Sequence, residues 1–442
     1  MPNQKPNDMN RSLKITYDVV TGLQYGDEGK GKIAQKLALT PGLYQMSARP
    51  NGGPNAGHTV FDKGHKIVLH VVPVGILAGL RVNFIGPGVV IDPVLFQKEV
   101  ELLKTLGFDT KTIYLSHLAH VITPFERLID GDINGTIGTT GRGIGPTYAN
   151  KRHRVGLQVK DVFQWGESDM VSHILDSYGM KLLPIYHNQL GRLDAVDGMR
   201  KEWVDAVLWL KDNISFAKPD FFLSGGEASE IFKDRSEVRI LVEGAQAVML
   251  DNTFGTYPFV TSSDCLPSSA PAGLGLPGKA RKGTVIGVFK AYNTRVGNGP
   301  FPTELLDGEG DSIRKAGNEY GSTTGRDRRC GWLDLPDLFY ACELAGVDEL
   351  YMTKVDILSP EVTDSVAVCV SKERRVPKYK YFDSWSTENV RRDIDINGSL
   401  RSFIDLVEEH VGMPVGTISV GQEVDDLVST RPAYIPQGVV KL

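Results

Sequence analysis

Cysteine is scarce in this chain. There are four in 442 residues, Cys265, Cys330, Cys342 and Cys369, and none form a C-x-x-C pair. That excludes a disulfide framework and a cysteine-built zinc centre, and it fits a reducing compartment. Long apolar runs are also missing. None approaches the ~18 residues of a membrane-spanning helix. The opening MPNQKPNDMNRSLK is polar, without the apolar stretch of a secretory signal. Together these absences predict a cytoplasmic protein. Neither sign of charge dominates: the net charge is −5, which does not describe a protein that coats nucleic acid. Internal repeats and low-complexity segments are absent. With 41% hydrophobic and 23% charged residues, disorder is not the default for the bulk of the chain.

Glycine is what the chain has in quantity, 48 residues, many in polar loops between apolar runs. The loops are Arg49–Thr59, Gly138–Tyr148, Thr261–Lys282, Arg295–Thr303 and Gly321–Trp332. Glycine at this density costs chain entropy, which is tolerated where backbone must turn sharply or lie against a ligand. Between the loops, strand patterns recur at Ile15–Thr21, Lys66–Val72, Thr112–Leu115, Val238–Val242, Thr284–Phe289 and Glu349–Val355. Helical patterns separate several of them, among them Lys32–Leu39, Val94–Leu106 and Trp203–Asp212. Such alternation predicts an α/β protein with a large, mostly parallel central sheet flanked by helices. Residues 1–13 read as a disordered polar tail, and 14–442 as one domain with long loop insertions.

The first loop holds GDEGKGK at 26–32. Gly26 to Gly31-Lys32 satisfies G-x-x-x-x-G-K, but Ile33 stands where a phosphate loop places Ser or Thr for magnesium. A strand before it and a helix after it supply the context in which backbone N–H groups converge on phosphate oxygens. Lys30 and Lys32 can neutralise phosphate. Asp27 can bind Mg²⁺ in place of the missing hydroxyl, or act as a general base.

Other loops offer chemistry with a structural alternative beside it. His58, on a glycine-flanked turn near Asn55, can be an acid or an oxyanion donor, or a structural histidine. In GTTGRGIGPTY, Arg142 and two threonines can bind phosphate or pair locally. KRHR at 151–154 is a basic patch or a solvated face. Three arginines and two threonines in STTGRDRR suit an anionic small molecule. Gln246 can read an amide-like base edge or satisfy backbone. Lys354 and Asp356, after a strand, suit guanine or form a salt-bridged strand end. One phosphate loop, one base reader and two arginine-rich loops together describe an enzyme acting on two nucleotides and an acidic small molecule.

Seven segments, in order, resemble the adenylosuccinate synthetase family: GLQYGDEGKGK, NGGPNAGHT, GTTGRGIGPTY with KRHRVGL, VEGAQAVMLD with GTYPFVTSS, KAYNTRVGNGPFPTEL, GSTTGRDRRCGWLD and TKVDIL. The resemblance runs from about Thr16 to near the C-terminus. It implies a phosphate-loop-NTPase-like fold and a ligase that makes adenylosuccinate from IMP, L-aspartate and GTP with Mg²⁺, one per subunit, through a 6-phosphoryl intermediate. It implies Asp27 as base and Mg²⁺ ligand, His58 as acid, and the Gly57 carbonyl as second ligand. Asp27, Glu28, Gly29, Lys30, Asn55, Ala56, Gly57, His58, Thr140, Gln246, Thr261 and Arg326 are implied at IMP, with Arg154 reaching across a homodimer. Gly26 to Lys32, Gly57, His58, Thr59, Arg328, Lys354, Val355, Asp356, Ser419, Val420 and Gly421 are implied at GTP. Ser322, Thr323, Thr324, Gly325, Arg326, Asp327 and Arg328 are implied as the aspartate loop. The chain departs from the family pattern at DCLPSSAPAG after Ser263, at Asp327, at Val74, and at SVGQEVDD, which lacks the usual Pro and Arg. A viral branch that aminates (d)GMP is the alternative the resemblance leaves.

Overall fold

The structure is a computed structural model; it describes residues 13–430 apart from 63, 133–138, 165, 167–168, 170–176, 187–192 and 322–324. Of the expected tail, residues 1–13, all but Leu13 lie outside the described residues. Ten strands form the central sheet: β1 (Lys14–Gly22), β2 (Met46–Arg49), β3 (Val82–Ile85), β4 (Ile113–Ser116), β5 (Ser215–Ala217), β6 (Glu237–Ala247), β7 (Arg281–Lys290), β8 (Glu349–Thr353), β9 (Val415–Ser419) and β10 (Leu427–Ser429). Their spatial order is β10-β9-β8-β7-β1-β6-β2-β3-β4-β5. Every pairing is parallel except β9 with β10.

Both faces of β1 are covered, which is why its sequence reads as a near-continuous apolar run. Val20 joins Ile33 and Ala34 of helix α1 (Lys30–Ala38) in the core on one face. Ile15, Tyr17 and Val19 join Phe84, Phe221 and Phe232 in another. Helices α2 (Pro93–Thr105) and α3 (Leu193–Asn213) pack together over the β3–β4 half. Among the described residues no helix is long and apolar enough to cross a membrane.

The sequence pattern missed five of these strands, β2, β3, β5, β9 and β10; of them β2 and β3 are four residues long and fully buried. Polar side chains interrupt their apolar run, yet they satisfy each other: Ser47 Oγ donates to Asn83 Oδ1 at 2.8 Å. The expected strand at 66–72 is instead the second arm of an antiparallel hairpin, His58–Asp62 with His65–Leu69, outside the central sheet. Gly64, at φ +79°, lets the chain reverse there. A second sheet, Tyr292–Arg295, Arg329–Asp334, Ser365–Glu373 and Val376–Asp383, lies beyond the C-terminal end of β7.

Candidate active site

The loop between β1 and α1 sits at the carboxyl end of a central parallel strand, where ligands bind in sheets of this kind. Gly26 (φ +106°) and Gly29 (φ +85°) take backbone conformations that disfavour other residues. Gly29 caps α1 without a side-chain hydrogen bond, so the helix start keeps N–H groups for an anion. Glu28 is the internal brace. Its Oε1 accepts from Gln24 N at 3.1 Å and Gly26 N at 2.7 Å, and Oε2 meets Lys30 Nζ at 2.7 Å. Both side chains are buried.

Both loop lysines have partners within the chain. Lys30 bonds Glu28 and the Gly26 carbonyl, because a buried cation needs its counter-charge close. Lys32 reaches away from the loop to Ser419 Oγ (2.9 Å), Gly421 O (3.0 Å) and Asp426 O (3.0 Å). Burial lowers its ammonium to about 8. The Glu28 side chain is turned inward as well, and its carbonyl accepts from Thr353 Oγ1 at 2.6 Å. Gly31 lies inside α1 and packs against His58 and Val60.

Asp27 faces outward, with its side chain 23% exposed, into a cavity of about 640 Å³. Arg328 Nη2 donates to its Oδ1 at 2.9 Å. Burial raises the Asp27 carboxyl, and Arg328 and Lys290 oppose the rise. The same cavity is lined by Gly26, Asn55, Ala56, Gly57, His58, Thr140, Gln246, Thr261 and Arg328, from loops and strand ends far apart in the chain. Asn55 Oδ1 and Gln246 Oε1 are buried and have no partner among the described residues. Gln246 is held at φ +58°, a conformation that costs about 1–3 kcal/mol in a non-glycine residue and concentrates at ligand sites.

His58 is buried beside two residues that the sequence reading did not single out. Its Nδ1 bonds Glu243 Oε1, and Arg49 Nη1 lies 2.8 Å from Nδ1 and 3.5 Å from Glu243. Glu243 Oε2 also accepts from Val74 N at 3.1 Å. Burial and the Arg49 charge lower His58 to about 4. Burial would raise the Glu243 carboxyl, but His58 and Arg49 outweigh it and hold it at about 2. At neutral pH the ring is therefore uncharged and donates Nδ1–H to an ionised Glu243. The only signal for Glu243 was its place in VEGAQ, three residues before Gln246.

A second cleft, about 440 Å³, is lined by Asp356, Val420, Asp426 and the segment around Thr387 and Arg391. Asp356 Oδ1 is buried without a partner among the described residues. Lys354, at φ +59°, donates to Gly317 O at 2.9 Å. Ser419 and Gly421 hold Lys32, which ties the phosphate loop to the rim of this cleft. Val355 is buried, its carbonyl accepting from Trp385 Nε1 at 2.8 Å.

Some expected contacts lie elsewhere. Ser322, Thr323 and Thr324 fall outside the described residues. Gly325, Arg326 and Asp327 are exposed and do not line the cavity, and Thr59 lies in the hairpin strand beside it. Arg154 caps a short helix at φ +63°, exposed and outside the lining of its own chain's cavity.

A sequence profile of the family described as adenylosuccinate synthetase matches residues 19–428. This chain belongs to the adenylosuccinate synthetase family. The family's member from Porphyromonas gingivalis is 40% identical over 429 residues, covering 92% of this chain and 97% of that protein. The fully ligated adenylosuccinate synthetase structure from Plasmodium falciparum superimposes with a TM-score of 0.80 at 30% identity, over 95% of this chain and all of the other. The succinoaminodeoxyadenylate synthetase of cyanophage S-2L, bound to dGMP and dATP, has a TM-score of 0.63 at 19% identity over 95% of this chain and 96% of the other; it shares the fold.

Proposed function

We propose that the chain, working as one catalytic unit from residue 14 onward, joins L-aspartate to IMP and converts GTP to GDP and phosphate. The observation that carries this reading is the shared cavity: Asp27, on a phosphate loop, faces the same space as His58 and the buried oxygens of Asn55 and Gln246 that have no partner among the described residues. Unpartnered buried acceptors suit the N–H and hydroxyl groups of a nucleotide.

The oxo group on C6 of the purine is a poor leaving group. Asp27 takes the N1 proton, the electron pair moves to O6, and O6 attacks the γ-phosphorus as GDP leaves. The amine of L-aspartate then attacks C6, loses a proton, and expels the phosphate. His58, its charged form supported by the Glu243 carboxylate, takes a proton from solvent as the nucleotide binds and donates a hydrogen bond on the O6 side, which stabilises the charge that develops there. The orphan Asp356 Oδ1 suits the paired N–H groups of guanine, with Val420 and the Ser419–Gly421 turn at the cleft edge.

Asp27 and Gly57 both line this cavity, and a carboxylate with a backbone carbonyl is the hard oxygen donor set that would suit Mg²⁺, which takes few protein ligands plus phosphate oxygens and water. Bound there, the ion would neutralise charge on the transferring phosphoryl group. Arg154, exposed at a helix end, fits a role in a neighbouring subunit's cavity in a cytoplasmic homodimer.

The test is phosphate release from GTP with Mg²⁺ and L-aspartate, with IMP and dGMP in parallel. Turnover with IMP that disappears in Asp27→Ala is the expected result. Turnover that survives Asp27→Ala, or that needs dGMP, would refute the reading.

A further inference from the structure

Six buried or half-buried residues join in a network that closes on the phosphate loop. Gln24, in that loop, accepts from Lys290 N at 2.9 Å and donates Nε2–H to the Lys290 and Tyr292 carbonyls at 3.3 and 3.1 Å. Lys290 Nζ pairs with Glu319 Oε1 at 3.0 Å, and Tyr292 OH donates to the same oxygen at 2.7 Å. Glu319 Oε2 receives Arg328 Nη1 at 2.7 Å. Arg328 Nη2 returns to Asp27, three residues from Gln24. Lys290 and Glu319 are fully buried.

Glu319 also holds the loop that leads to Arg328. Its carbonyl accepts Arg328 N at 3.0 Å, and its own N–H bonds Arg314 O at 2.9 Å. Arg314 Nε in turn donates to Arg328 O at 2.8 Å. Gly321 N donates to Arg326 O at 2.8 Å, one step further out. The stem of the 321–328 loop is thus clamped through backbone and side chain at one residue. The Nε–H of Arg328 is buried and has no acceptor among the described residues, so the guanidinium keeps a donor for an incoming anion.

We propose that Glu319 is a positioning residue for the reaction: anchored by Lys290 and Tyr292, its carboxylate fixes Arg328 and the stem of the 321–328 loop against the phosphate loop, and so sets the binding of the L-aspartate substrate. A carboxylate with three donors inside the protein has one stable orientation, and it transmits that orientation to Arg328. Shortening or neutralising it frees a long side chain beside the reacting groups, where a misplacement of ~1 Å costs up to ~10²-fold in rate.

This rests on the ligase reading, and two measurements separate the two. In steady-state kinetics, Glu319→Gln is expected to raise KM for L-aspartate about tenfold or more, with KM for IMP nearly unchanged. Glu319→Asp, which keeps the charge, recovers part of the loss. The double variant Lys290→Met with Glu319→Gln removes a buried cation with its anion. It regains thermal stability but keeps the raised KM, because Arg328 is still unanchored. Without any substrate, hydrogen exchange at the Arg328 and Gly321 amides quickens in both Gln variants. A wild-type protein with no ligase turnover would sink the reaction reading and leave the exchange measurement standing. Folded Glu319→Gln or double variant with wild-type KM for L-aspartate and wild-type exchange at those amides would overturn the positioning role, as would a loss confined to Tm and kcat.

Discussion

Replacing Glu243 by Gln isolates the buried group behind His58. The change keeps shape and removes one charge from a site where Arg49, His58 and Val74 N all point at the same carboxylate. Arg49 then becomes a buried cation without its anion, at a cost of about 3–5 kcal/mol in stability. The chemical effect is separate. At ~4 Å and an effective dielectric of ~20, a unit charge acts on its neighbour by about 4 kcal/mol. That corresponds to about three pKa units. His58, already lowered to about 4, becomes harder still to protonate, since the Arg49 charge now acts on it unopposed. If the ring supplies a proton or a charged donor on the O6 side, kcat falls by up to ~10³, within the range of general acid catalysis. The assay is IMP- and L-aspartate-dependent phosphate release, read as kcat on protein shown to be folded by calorimetry. Glu243→Asp, which keeps the charge, should lose far less. A folded Glu243→Gln with kcat within about threefold of wild type would refute the reasoning, since a charge–charge effect of ~4 kcal/mol cannot act on the reaction and leave so small a trace.

Gly22→Ala should cost about 1–3 kcal/mol or more and lower GTP turnover. An added Cβ would stand 2.3 Å from Glu28 Oε2 and 2.8 Å from Lys30 Nζ, a buried pair with no room to withdraw; a wild-type Tm would count against the brace. Glu99 gives a pH signature in stability. Burial raises its carboxyl from 4.5 to about 7, although the N–H groups of His70, Val71 and Val72 donate to it. A carboxyl whose folded pKa is raised holds its proton longer in the folded chain. Its stabilising share is therefore complete below pH 4.5 and declines as pH rises toward 7, by about 3 kcal/mol. Urea unfolding at the two ends should show that slope in wild type and not in Glu99→Gln; parallel curves would refute it.

How much was legible in the sequence depends on how local each cause is. The glycine loop with its flanking strand and helix follows from backbone conformations and apolar spacing within one short stretch, and these are visible in a linear chain. The family and its reaction were legible for a similar reason: seven ordered motifs carry them. The parallel sheet followed from the alternation of strands and helices, although five of its ten strands did not. Strands β2 and β3 are stabilised by Ser47 meeting Asn83, a pairing across 36 positions that periodicity cannot register. The lysines of the first loop show the limit most clearly. Sequence alone gave both the same task, because charge near glycine reads as phosphate binding wherever it stands. Only folding decided that Lys30 would be neutralised by Glu28 and that Lys32 would reach 387 residues along the chain to Ser419. Glu243 behind His58, and Glu319 behind Arg328, were likewise decided by the fold. A buried charge is defined by what surrounds it, and its surroundings come from strands and loops far apart in the chain.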